Sequence, residues 1–356
     1  MTTTETSFDP AKVEAFAGHL LPILKGALLS YMVDIGDRTG LFAAAVQGPG
    51  TSQEIADRAG LQERYVREWL GAMVTGGVLE FDPAAETYVL PAEHAALLLG
   101  SGSLAPLAHT NTVMARYIPR LVEVFRDGGG VPYVDYTPEF TDAMDAMGRG
   151  AFDQFLVDAY LPLADGLTEM LTAGARVADV ACGTGHALVL LAQAFPASTF
   201  TGYDLDEIAI DRARAEAAAA GLDNLTFEVA DVAALAVDEP LDVVFVFDAI
   251  HDQVDPAGVL GRIHDALAPG GTFFLREPHA ADTLEANMGN PMAAVQYSVS
   301  TLHCLTVSLA HGGAGIGTVF GEQMARRLLT DAGFEDPTVH PAPGQPMDAV
   351  YVTRRG

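Results

Sequence analysis

The sequence predicts an α/β chain in which a small helical domain with a β-hairpin precedes a larger, mostly parallel sheet. Three observations carry this. Seven short apolar β-like runs alternate with helical segments after residue 173. A glycine-rich turn follows the first of these runs. Before them stands a helix, turn, helix and hairpin pattern between Thr51 and Leu90.

The first element is a helix from Pro10 to about Ile35, with Val13, Phe16, Leu20, Leu21 and Leu24 recurring at three and four. Thr51-Ser52-Gln53-Glu54 forms a capping box that opens a short helix ending at Gly60. A second helix spans about Gln62 to Thr75 and stops at Gly76-Gly77, and Val78–Phe81 and Thr87–Leu90 flank a turn at Asp82-Pro83. Together these read as a winged helix in residues 1–100, followed by a helical linker and lid in 101–165 and the sheet domain in 166–356. Winged helices often read DNA. Here Thr51–Gly100 holds three basic residues against eight acidic ones, and the whole chain carries a net charge of −28. Such a surface repels phosphate backbones, so no nucleic acid partner is expected and the module is read as a dimerisation and lid unit.

The expected strands are Arg176–Ala181, Thr199–Asp204, Leu225–Ala230, Leu241–Phe247, Gly271–Arg276, Pro337–His340 and Met347–Thr353. In a parallel sheet ligands gather at the carboxyl ends of the strands. The first run ends in Asp179-Val180-Ala181-Cys182-Gly183-Thr184-Gly185. Glycines at 183 and 185 allow a sharp turn and close approach of a ligand. A dinucleotide fingerprint would need a third glycine at 188, where Leu188 stands, and no phosphate-loop lysine follows. The ligand is therefore one without phosphates. Asp204, 19 residues beyond Gly185, suits ribose hydroxyls. Asp231 suits an adenine amino group, with Val232 packing on the ring.

These residues, with the Leu267–Gly271 turn, resemble the class I S-adenosylmethionine-dependent methyltransferases, whose sheet is Rossmann-like. With the winged helix, the whole chain is most similar to small-molecule O-methyltransferases and to an actinobacterial winged-helix subgroup. The resemblance implies S-adenosylmethionine as cofactor, S-adenosylhomocysteine as product and a small-molecule methyl acceptor. It places the cofactor on Asp179, Ala181, Gly183, Gly185, Asp204, Leu205, Asp231, Val232, Phe247 and Asp248. Ala181 departs from the glycine that many members carry there. A His-Asp pair after the fourth strand supplies the base in those enzymes, and His251 and Asp252 match it.

For His251 the readings are a general base, with a pKa near neutrality, a cap for the helix starting near Pro256, or a fixed hydrogen-bond partner of Asp248 and Asp252. Glu277 either orients substrate or His251, or pairs with Arg276 or another base. His303 and Cys304 fall in a long segment, 279–317, read as a substrate-facing wall, with both side chains taken as core. No metal is expected, since no second carboxylate cluster stands near Asp248, His251 and Asp252. Two cysteines, Cys182 and Cys304, form no metal or disulfide spacing. A cytoplasmic homodimer is expected, with no membrane-crossing run. The alternatives are a DNA-binding regulator of the same fold and a cofactor-binding enzyme that no longer transfers methyl. The acceptor atom, whether O, N, S or C, is left open.

Overall fold

The computed structural model describes residues 8–100 and 103–356. It divides into two compact units, one ending at Thr112 and one spanning Val113–Gly356. The division falls inside the 101–165 stretch, whose larger part is built into the second unit.

In the first unit the leading helix runs from Pro10 to Arg38, capped by the Asp9 side chain. Its C-terminal third packs inward. A Cβ on Gly36 would lie 2.5 Å from Trp69, so glycine lets the helix lie against the Trp69–Phe42 pair. The Trp69 indole donates to the Met32 carbonyl at 2.8 Å. The Thr51 capping box forms as the sequence requires, opening the Ser52–Ala59 helix, and Gly60 closes it in the left-handed region. The Glu63–Thr75 helix and the hairpin β1 (Glu80–Asp82) and β2 (Thr87–Val89) complete the winged helix. The rest of the leading helix is bare within the chain: Val13, Phe16, Leu21, Leu24 and Leu28 are all at least half exposed. At 29 residues, with a most apolar 18-residue stretch of mean hydropathy 1.4, this helix is long and apolar enough to cross a membrane by those two measures. Pro22, Lys25 and Asp34 interrupt its apolar run.

The second unit holds a seven-stranded sheet. Its strands are β3 (Arg176–Val180), β4 (Thr199–Asp204), β5 (Leu225–Val229), β6 (Leu241–Phe247), β7 (Leu267–Pro278), β8 (Thr338–Pro341) and β9 (Asp348–Arg354), in spatial order β5-β4-β3-β6-β7-β9-β8. Five neighbouring strands are parallel, and β9 runs antiparallel to both β7 and β8. Apolar runs such as Val243–Val246 are wholly buried because helices cover both faces. One face packs on the His186–Ala194 and Leu167–Ala173 helices through Leu188, Leu191, Phe245 and Phe274. The other packs on the Pro256–Ala266 and Glu322–Asp331 helices through Val244, Val246, Ile263 and Leu329. The strand order reverses between β3 and β6, since successive strands are added outward from β3 to β5 on one side and from β6 to β7 on the other. That is where the carboxyl ends open a crevice.

Candidate active site

At the end of β3 the backbone turns through Ala181 (φ 61), Gly183 (φ 55) and Gly185 (φ 73). The positive φ at Ala181 explains the glycine usual at this place, since an L side chain is strained there. The two glycines serve different ends. A Cβ on Gly185 would lie 2.4 Å from the Phe227 ring, so its absence permits packing of the turn on β5. Around Gly183 nothing lies within 4 Å of that position, which leaves open space against the backbone. The Gly183 amide donates to Asp204 Oδ2 at 2.7 Å, and the Asp206 amide to Asp204 Oδ1 at 2.8 Å. These bonds fix the carboxylate beside the open turn while leaving a lone pair on each oxygen. Burial pushes the Asp204 carboxyl up, partly offset by the Asp206 and Gly183 amides.

Asp179 is 2% exposed and its Oδ1 has no partner. Burial, and then the charge of Asp204, push its carboxyl well above the ordinary range. A buried carboxyl oxygen without a donor is costly, and a bound group carrying N–H donors would satisfy it. The open turn, the fixed Asp204 and the unpartnered Asp179 thus fit a ligand with an ammonium and ribose hydroxyls. Asp231 is exposed and caps a short turn by accepting from the Ala233 amide at 2.9 Å, with Val232 buried beneath it. Leu205 is 65% exposed, an apolar side chain free to cover a ligand. Phe247 packs on Phe152, Phe245 and Phe274, and Asp248 follows it with φ 63, its amide bonded to the Arg276 carbonyl at 2.8 Å.

A second group of residues meets at the carboxyl ends of β6 and β7. His251, 2% exposed, lies in the turn Ile250–Asp252. Its Nδ1 is 2.5 Å from Glu277 Oε2. Glu277 is fully buried, and its Oε1 accepts from the Ala249 and Ile250 amides at 3.1 and 2.7 Å. This carboxylate therefore holds both the imidazole and the loop that carries it. Successive side chains of a strand face opposite ways, so Arg276 does not pair with Glu277. Its guanidinium lies over the Phe152 and Phe247 rings and its Nε is 3.5 Å from Asp348. Nor does His251 cap the next helix, a task done by Asp255, which accepts from the Gly258 amide.

With Glu277 accepting from Nδ1–H, the free lone pair is on Nε2. Asp252 Oδ1 is 3.2 Å from Nε2 but without hydrogen-bond geometry. Asp248 is farther, 3.9 Å from Nδ1. Burial draws the His251 pKa down, but Asp252 and Glu277 outweigh it and hold it well above the usual value. Asp252 is lifted to about 6, mainly by burial. Donor atoms of His251, Asp252 and Cys304, and of Asp248, His251 and Glu277, are close enough to hold a cation. His251 belongs to both sets, so an ion in either would occupy the imidazole.

Two features of the site escape the sequence reading, and a third, His303, lies in the segment read as a wall but with its side chain taken as core. The Glu139–Phe155 helix, taken as a connection, grips the cofactor turn: Thr184 Oγ1 donates to Asp145 at 2.5 Å, and Arg149 joins Asp145 to Glu216. Thr141 of the same helix donates to Asp206 at 3.0 Å. Tyr133 is pushed up by burial and by the charges of Asp204, Asp206 and Asp252, which places it between the two halves of the site. His303 lies on the wall, with Nδ1 3.7 Å from Asp252. Only the length of the 279–317 segment hinted at the last of these.

Two parts of the chain match known domains. Residues 27–99 match the Rv2258c-like winged HTH domain, and residues 171–333 match a methyltransferase domain. A trans-aconitate 2-methyltransferase of Streptomyces coelicolor is 36% identical over 104 residues, 29% of this chain and 34% of that protein. One from Methylobacterium nodulans is 34% identical over 125 residues, 35% of this chain and 45% of that protein. The chain thus spans less than half the length of these relatives. Over the whole fold it superposes on the mitomycin 7-O-methyltransferase with a TM-score of 0.73 at 19% identity, covering 98% of this chain and 100% of that one. Human N-acetylserotonin methyltransferase in complex with S-adenosylmethionine gives 0.72 at 16% identity, covering all of both chains.

Proposed function

We propose that this chain, a winged HTH domain joined to a methyltransferase domain, transfers a methyl group from S-adenosylmethionine to an oxygen of a small molecule, with His251 as general base. The observation that carries the reading is the buried Glu277–His251 pair beside the Asp204 turn. Asp179, Gly183 and Asp204 would hold the amino-acid and ribose parts of the cofactor, while Asp231, Val232 and Leu205 would hold the adenine. When bound, the cofactor supplies an electrophilic methyl carbon on a sulfonium. Everything else falls to the chain. Glu277 keeps the proton on Nδ1 and so presents the Nε2 lone pair. His251 Nε2 would take the proton of the acceptor hydroxyl as that oxygen accepts the methyl group. Glu277 and Asp252 would stabilise the imidazolium. His251→Ala is expected to lower kcat by about 10²–10⁴, with S-adenosylhomocysteine affinity unchanged by calorimetry. Near-full turnover in that variant would remove the base assignment.

The exposed row Val13, Phe16, Leu21, Leu24 and Leu28 supports a homodimer joined through the leading helix, because an apolar surface of this kind is covered in a stable protein. The acidic balance of the winged helix supports a role without nucleic acid. Light scattering at micromolar concentration checks the first: a dimer is expected, and a stable monomer or a detergent requirement would refute it.

A further inference from the structure

His303 is 1% exposed, yet neither ring nitrogen has a hydrogen-bond partner. Two unpartnered polar atoms in the interior cost free energy that native proteins rarely spend without a ligand to satisfy them. The ring is held for a purpose that packing alone does not explain. It stacks on Phe140 at 3.7 Å between centroids and 13° between planes, and meets Tyr136 edge-on at 4.7 Å. Tyr133 stands edge-on at 6.0 Å. The backbone beneath, Ser300–Cys304, is a π-helical turn, a departure from regular helix common at functional sites. Asp252, whose Oδ2 is 3.7 Å from His303 Nδ1, links this aromatic wall to His251.

The charges of the site carry a second message. Asp204, Asp248, Asp252 and Glu277 all gather here, and Arg276 is turned to Asp348 and the Phe152 and Phe247 rings. A carboxylate acceptor would enter against this field of four carboxylates, faced by the one guanidinium of Arg276, which lies against Asp348 although its Nε and Nη1 make no hydrogen bond.

Accepting the domain as a methyltransferase with His251 as base, we propose that His303 selects the acceptor. Its free ring nitrogens take a polar substituent of an uncharged, planar hydroxy-aromatic molecule whose neighbouring hydroxyl faces His251, and the carboxylates turn anionic acceptors away. Burial, and then the charge of His251, push the His303 pKa down to about 3, so the ring is neutral and offers one donor and one acceptor. The class differs from the tricarboxylate named for the Streptomyces relative, which matches only 29% of this chain.

The experiment follows S-adenosylhomocysteine formation with three probes, catechol, phenol and trans-aconitate, in the wild type and in His303→Phe and His303→Asn. The Phe variant keeps the stacked ring and removes both nitrogens, and the Asn variant restores a donor and an acceptor. Circular dichroism and calorimetric S-adenosylhomocysteine binding establish that each is folded. The expected wild-type preference in kcat/KM for catechol over phenol is about 10- to 100-fold, the scale of a buried hydrogen bond. In His303→Phe the ratio falls to about one, through a higher KM for catechol, and His303→Asn recovers part of it. A ratio that survives in His303→Phe, or no wild-type preference, overturns the proposal. So does turnover of trans-aconitate at a rate matching the aromatic probes. His251-dependent methylation of trans-aconitate alone would leave the methyltransferase reading standing and this one refuted. Methylation of no probe, with cofactor product bound, refutes the hydroxy-aromatic class.

Discussion

Replacing Asp252 by Asn tests the electrostatics of the base directly. The two groups are 3.2 Å apart, His251 buried and Asp252 mostly so. With an effective dielectric of about 20, opposite unit charges at that distance attract by about 5 kcal/mol, an upper bound before relaxation. The charge is present when it matters, because the Asp252 carboxyl, though lifted to about 6, is ionised across the range in which a raised imidazole titrates. Glu277 remains in the variant and keeps part of the upward shift. The expected fall in the His251 pKa is therefore about 1–2 units, the usual effect of one close opposite charge. The sign follows from charge: removing an anion destabilises the imidazolium, so the neutral base forms at lower pH. Nitrogen-15 NMR of labelled histidine measures this without an acceptor, with His251→Ala assigning the resonance. The wild-type midpoint should lie above 6.5, and the pH–rate profile should move down in the variant. An unmoved or rising midpoint would refute the claim that Asp252 holds the proton on His251.

Glu277→Ala leaves the Ala249 and Ile250 amides and the imidazole without their shared acceptor, and should cost about 3–5 kcal/mol in denaturant unfolding. A loss under 1 kcal/mol would mean that the pair is not the staple of this loop. Ala181→Gly relieves the φ of 61° and should stabilise the fold by about 0.5–1 kcal/mol, read as a higher Tm. A lower Tm would contradict the strain. Asp204→Ala should weaken S-adenosylhomocysteine binding by about 1.5–3 kcal/mol in calorimetry, and unchanged affinity would exclude Asp204 from the ribose site.

The sequence by itself determined what local chemistry determines. The capping box at Thr51, the glycine stop at Gly60 and all seven strands of the sheet follow from neighbour-to-neighbour patterns, and the structure places them within a few residues of the expected bounds. The turn at Gly183 was equally legible, because a missing Cβ is a property of the residue itself. Even the departure at Ala181 was visible, although its cause, a positive φ, was not. What His251 bonds to was a different kind of question. Glu277 lies 26 residues away and reaches His251 because β6 and β7 pair in parallel, while strand alternation sends Arg276 elsewhere. His303 and Cys304 looked like core residues in sequence, since burial alone does not distinguish a packed side chain from one waiting for a ligand. That distinction lies in whether ring nitrogens find partners, and only the assembled elements around Phe140, Asp252 and the Ser300–Cys304 turn decide it.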